Sequence, residues 1–120
     1  MREITVPIFI QISENIKDDI MSGKYATNAL IMSTTQLAKQ YSVNRVTASK
    51  SVSLLRDEGI VYKKRGIGMC VRHGAQEIIV AQRTKQFYEN TVAEMISEAK
   101  KLHIGKSALI GLISKVEDYA

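Results

Sequence analysis

Apolar residues Ile8, Ile12, Ile16 and Ile20 recur at steps of four after Pro7, with Phe9 and Met21 alongside and Glu14, Lys17, Asp18 and Asp19 elsewhere. With 3.6 residues per turn, this spacing predicts one helix with an apolar stripe over about residues 7–22. Pro7 suits its first turn, and Gly23 suits its C-terminal stop. Residues 24–32 have no clear period and read as a connection. Ser33-x-x-Gln36 is a capping box that opens a second helix, whose inner side is Leu37, Ala38 and Tyr41. Ser42-Val43-Asn44 then reads as a turn, with Asn44 as N-cap of a third helix running to about Glu58.

On that third helix Ala48, Ser51, Val52 and Leu55 recur at steps of three and four, a narrow inward face of mostly small residues. Arg45, Val46, Thr47, Ser49, Lys50 and Ser53 lie on the other side. Gly59 ends the helix, because glycine adopts positive φ without steric cost. Two short strands follow, Ile60–Lys64 and Met69–Arg72, joined by Arg65-Gly66-Ile67-Gly68, whose glycines permit a sharp turn. This order is that of a winged helix-turn-helix. A helix so presented fits the major groove of DNA, and the basic hairpin can hold the flanking backbone.

Beyond the hairpin the pattern changes. From about Gln76 to Leu102 there is neither Gly nor Pro, and Tyr88, Val92, Met95, Ala99 and Leu102 are spaced 4, 3, 4, 3, with Ile96 widening the stripe. A 4,3 repeat marks a packing seam between helices. A last short helix after His103-Ile104-Gly105 aligns Leu109, Leu112, Ile113 and Val116. The seam has two readings: it folds back on the first helix, or it pairs with its counterpart across a two-fold axis. The expected class is therefore mainly α with a small β-hairpin, a DNA-binding domain over residues 1–75 and a two-helix tail over 76–120.

Charge sharpens the division. The chain has 120 residues and a formal net charge of +5. The first 75 residues hold eleven Lys/Arg against six Asp/Glu, whereas the last 45 hold six of each. Residues 36–73 alone carry eight basic side chains and, as acidic ones, only Asp57 and Glu58. Such an excess suits a polyanion, since neutralised phosphates release counterions. A membrane-binding helix would need these charges on one strongly apolar helix, but they lie on a turn-rich segment.

Other chemistry is weakly represented. Gly66-Ile67-Gly68 is no dinucleotide fingerprint, because Val71 stands where the third glycine belongs and strands surround it. Cys70 and His73 form a C-x-x-H pair with only His103 to add, so no metal site or cofactor is expected. No nucleophile, base and oxyanion donor are grouped by any motif, which argues against an enzyme. The single cysteine fits a reducing compartment. Met1-Arg2-Glu3-Ile4-Thr5-Val6-Pro7 lacks the apolar run of a signal peptide, and no stretch nears the ~20 apolar residues of a membrane span. A cytoplasmic protein with no membrane partner is expected.

The segment Ser22–Val71 resembles the N-terminal DNA-binding domain of GntR-family bacterial transcription regulators. The matching residues are Ser22-Gly23, Ser33, Leu37-Ala38, Val43-Asn44-Arg45-x-Thr47, Leu55, Glu58-Gly59-Ile60 and Gly66-x-Gly68-x-x-Val71. The opening Pro7-Ile8-Phe9-Ile10-Gln11-Ile12 and the short tail look like the YtrA-type subfamily. The resemblance implies a homodimeric regulator, most often a repressor, of a neighbouring transporter operon, bound to double-stranded DNA at an inverted-repeat operator. Arg45 and Thr47 match the family's contacts at the start of the recognition helix, and Arg65 and Gly66 match the wing tip.

The candidate DNA-binding residues are thus Ser33, Thr35, Asn44, Arg45, Val46, Thr47, Ser49, Lys50, Lys63, Lys64, Arg65 and Gly66. The candidate dimer interface is Tyr88, Val92, Met95, Ile96, Ala99, Leu102, Leu109, Leu112 and Ile113. Thr35, Ser49 and Ile67 stand where the family often carries basic residues, and Thr27–Ser33 keeps only the Leu and Ser of the usual Leu-Pro-Ser. These departures leave room for a rival reading, a winged-helix protein-interaction module with a degenerate DNA face. The roughly 45 residues after the wing are too few for a separate effector-binding domain, and no residue identifies a small-molecule effector.

Overall fold

Pro7 occupies the N-cap position of the first helix, α1 (Ile8–Met21), where its missing N–H costs nothing. Ile12, Ile16 and Ile20 are buried as the four-residue spacing requires. Ser33 then caps α2 (Thr34–Gln40): its Oγ accepts from the Gln36 N–H at 3.1 Å, while Gln36 Oε1 accepts from the Ser33 N–H at 2.8 Å. Helix α3 (Arg45–Asp57) begins after a turn in which Ser42 takes φ +53. Its end is a Schellman motif, with Gly59 N–H donating to Arg56 O, Ile60 N–H donating to Leu55 O, and Gly59 at φ +76.

Strands β1 (Val61–Lys64) and β2 (Gly68–Val71) pair antiparallel, Val61 opposite Val71 and Lys64 opposite Gly68. Helix α4 (Ala75–Gln86) leads into a π-helical stretch, Phe87–Val92, followed by α5 (Ala93–Lys101) and α6 (Lys106–Glu117). This computed structural model describes residues 5–120. The first four residues of the opening segment read above as lacking a leader lie outside it.

The chain forms two compact units, one ending at Ala81 and the other Gln82–Ala120. The sequence pattern places the boundary at residue 75. The first turns of α4 belong with the N-terminal unit because Ala75 and Ile79 are buried in its core, and Gln76 Nε2 donates to Ile20 O at 2.9 Å. That core joins Ile12, Ile16 and Ile20 to Leu37, Ala48, Leu55, Ile60, Val61 and Val71. Buried Lys17 fastens α1 to the end of α3, its Nζ 3.3 Å from Glu58 and 2.9 Å from Glu14.

Two departures from the sequence reading are structural. The segment read as a bare connection lies along the free edge of β2: Asn28 N–H donates to Val71 O, Val71 N–H to Ala29 O, and Ile31 N–H to Met69 O, at 2.8–3.0 Å. Leu30 thereby bridges to Cys70, which is buried on β2. The second departure is the π-helical stretch. Hydrogen bonds from residue i to i+5 add a residue to the turn, so the 4,3 spacing across Tyr88 and Val92 is not carried by an unbroken α-helix.

Within the C-terminal unit Ala99 is buried at 5% exposure and Val92 and Leu109 are half-buried. Tyr88, Met95, Ile96, Leu102, Leu112 and Ile113 are exposed. Met95, Leu109, Leu112, Ile113 and Val116 line one apolar groove of about 390 Å³.

Candidate nucleic-acid interface

The position of α3 is set by its inward face. Ala48, Ser51, Val52 and Leu55 are buried, as their spacing predicted. Ser13 Oγ of α1 lies 2.9 Å from Ser51 O, and Ser51 Oγ donates to Ala48 O at 2.6 Å. Two serines and an alanine at this crossing let the helix backbones approach closely while each hydroxyl finds a carbonyl. At its start, Asn44 Oδ1 accepts from the Thr47 N–H at 2.8 Å. Seven-residue α2 is joined to α3 by a second Schellman turn, in which Ser42 N–H donates to Lys39 O and Val43 N–H to Ala38 O.

With one side of α3 so held, the other is left open. Arg45, Val46, Ser49, Lys50 and Ser53 line a shallow cleft of about 520 Å³ together with Thr34 of α2. Val46 is 70% exposed. Lys50 Nζ sits 5.1 Å from the centroid of the Phe9 ring, a cation–π contact with α1. Arg45 stands in the first turn of α3, where the positive end of the helix dipole adds to its charge. Among the described residues, no carboxylate forms an ion pair with Arg45, Lys63, Lys64 or Arg65.

The hairpin presents the second basic surface. Lys63, Lys64, Arg65, Gly66 and Ile67 are all exposed. The turn closes with Ile67 N–H donating to Lys64 O at 3.0 Å and Gly66 at φ +77, a conformation that favours glycine. Tyr62 Oη donates to Asn28 Oδ1 at 3.1 Å, tying the base of the hairpin to the segment on its other edge.

Of the residues singled out from sequence, Arg45, Val46, Ser49 and Lys50 share one cleft, while Lys63, Lys64, Arg65 and Gly66 share the hairpin tip. Ser33 and Asn44 spend their side-chain oxygens on helix caps, although the Ser33 hydroxyl proton remains free to donate outward. Thr47 is half-buried, and Thr35 is exposed but does not line the cleft. Thr34 does, and so does Ser53, neither of which was among the candidates. Helical spacing exposes Ser53, seven residues after Val46. Thr34 carries no such signal, since its place depends on how α2 packs against α3.

Residues 10–71 match the family model of bacterial regulatory proteins of the gntR family. The HTH-type transcriptional regulator YurK of Bacillus subtilis is 30% identical over 89 residues, which are 72% of this chain and 37% of YurK. The chain thus spans well under half the length of the curated relatives it matches. A solved GntR-family transcriptional regulator from Bacteroides thetaiotaomicron superposes with a TM-score of 0.77 at 30% identity, over 92% of this chain and 96% of that one. The AraR DNA-binding domain, solved in complex with operator ORR3, superposes at 0.56 and 30% identity over 59% of this chain and 86% of that one. With its helix-turn-helix and hairpin inside a match that covers more than half its length, the chain belongs to the GntR family of bacterial regulatory proteins.

Proposed function

We propose that this protein is a sequence-specific DNA-binding transcription regulator that reads an inverted-repeat operator as a homodimer and acts as a repressor. The carrying observation is the open face of α3, where Arg45, Val46, Ser49 and Lys50 line one cleft beside a basic hairpin. Arg45 reads a base edge, because its guanidinium bonds bidentately to guanine; Lys63, Lys64 and Arg65 hold phosphates. The operator complex of AraR, at 30% identity, supports the same use of this surface.

The exposed apolar groove of Met95, Leu109, Leu112, Ile113 and Val116 supports pairing of two copies through the C-terminal unit, as helix-turn-helix proteins place two recognition helices ~34 Å apart. On the resemblance of Pro7–Ile12, we read the chain as a YtrA-type regulator of a neighbouring transporter operon acting in the cytoplasm. No helix among the described residues is long and apolar enough to cross a membrane. Gel-shift titration on the promoter of its own operon tests the reading. Salt-sensitive binding that needs both half-sites is expected, and salt-independent failure on every duplex, with a stable protein partner instead, would contradict it.

A further inference from the structure

Among the described residues of the unit ending at Ala81, Val46 is the most exposed large apolar side chain, at 70%. A lone exposed valine on an ordinary surface needs no account. This one stands among Arg45, Ser49, Lys50, Ser53 and Thr34 in a single cleft, on the face proposed to meet DNA. Base edges in the major groove are hydrogen-bonding groups with one apolar exception, the C5-methyl of thymine. A β-branched side chain on a helix has one strongly preferred χ1, so Val46 presents its methyls in a fixed direction with little entropy to lose. Ser49 and Ser53, one and two turns further on, are short. Lys50, the long side chain of that row, holds its ammonium 5.1 Å from the Phe9 ring centroid.

We infer that Val46 is a specificity-determining residue that packs against the 5-methyl group of a thymine. Consecutive residues advance ~1.5 Å along a helix and base pairs stack ~3.4 Å apart, so that thymine lies within about two base pairs of the guanine taken by Arg45. The inference rests on the DNA-binding reading above and deepens it by naming part of the half-site.

The test lets the full chain select a duplex from a random-sequence pool, then replaces each thymine of the bound sequence in turn by deoxyuridine, which lacks only the methyl group. Affinities are measured for the wild type and for Val46→Ala, a substitution at an exposed site that the fold tolerates. At one thymine per half-site the wild type should lose about fourfold in affinity, the worth of one buried methyl-sized group, while Val46→Ala binds both duplexes alike. If no thymine shows a methyl effect, or if the effect persists in Val46→Ala, the inference is overturned while the DNA-binding reading stands. Failure of the wild type to retain any duplex overturns that reading and the inference with it.

Discussion

Arg45 and Lys64 carry similar charge to different ends. Arg45 lies in the cleft of α3 and Lys64 near the hairpin tip; on the proposed reading the first meets a base edge and the second a phosphate. Replacing Arg45 by alanine should cost about 1–3 kcal/mol on the selected duplex and much less on a scrambled one, read by fluorescence anisotropy. Lys64→Ala should weaken both alike and flatten the slope of log affinity against log salt by about one unit. Inside the fold, Glu58 holds buried Lys17 at 3.3 Å. Glu58→Ala should destabilise the protein by about 1–3 kcal/mol in urea titration, because a buried ammonium loses a charged partner.

The turns that aim α3 and the hairpin are less comfortable than the helices they join. Ser42 is held at φ +53 in the turn between α2 and α3, a region where a side chain is strained. Ser42→Gly should raise stability by up to about 1 kcal/mol and leave DNA binding unchanged. Gly68 shows the reverse case. At φ +137, and with an added Cβ 2.9 Å from Leu30 Cδ1, Gly68→Ala should cost about 1–3 kcal/mol, chiefly through the backbone, since the tip of Leu30 can shift. Thermal unfolding followed by circular dichroism measures both.

Those same turns explain what was legible. Caps, Schellman glycines and four-residue apolar steps are local signals, so α1, α2, α3 and both strands could be read to within a residue or two. The pairing of residues 28–31 with β2 could not, because it depends on the edge that the distant strand leaves free and not on any periodicity of its own. The π-helical turn at Phe87–Val92 is likewise silent in a segment without Gly or Pro. On α3 the exposure of Arg45, Val46, Ser49, Lys50 and Ser53 followed from helical phase, though Thr47 is half-buried, whereas Thr34 required the packing of α2 on α3, and Phe9 required that of α1.

Charge and apolar surface are unevenly divided along the chain. The basic excess lies in the first 75 residues, residues 76–120 hold as many acidic as basic side chains, and the exposed apolar groove lies in the C-terminal unit. Leu112 and Ile113 line that groove at 44% exposure each, so Leu112→Asp with Ile113→Asp should leave the monomer folded. Sedimentation should show a dimer for the wild type and a monomer for this variant, with operator affinity falling because one half-site is lost.

The open face of α3 and the basic hairpin are proposed to read a DNA sequence together. The most direct measurement is the ratio of Kd values for a scrambled and a selected duplex at fixed salt, for the wild type beside Arg45→Ala. The expected ratio for the wild type is at least about 10³, falling by about tenfold or more in the variant. Equal affinity of the wild type for the two duplexes would contradict the claim.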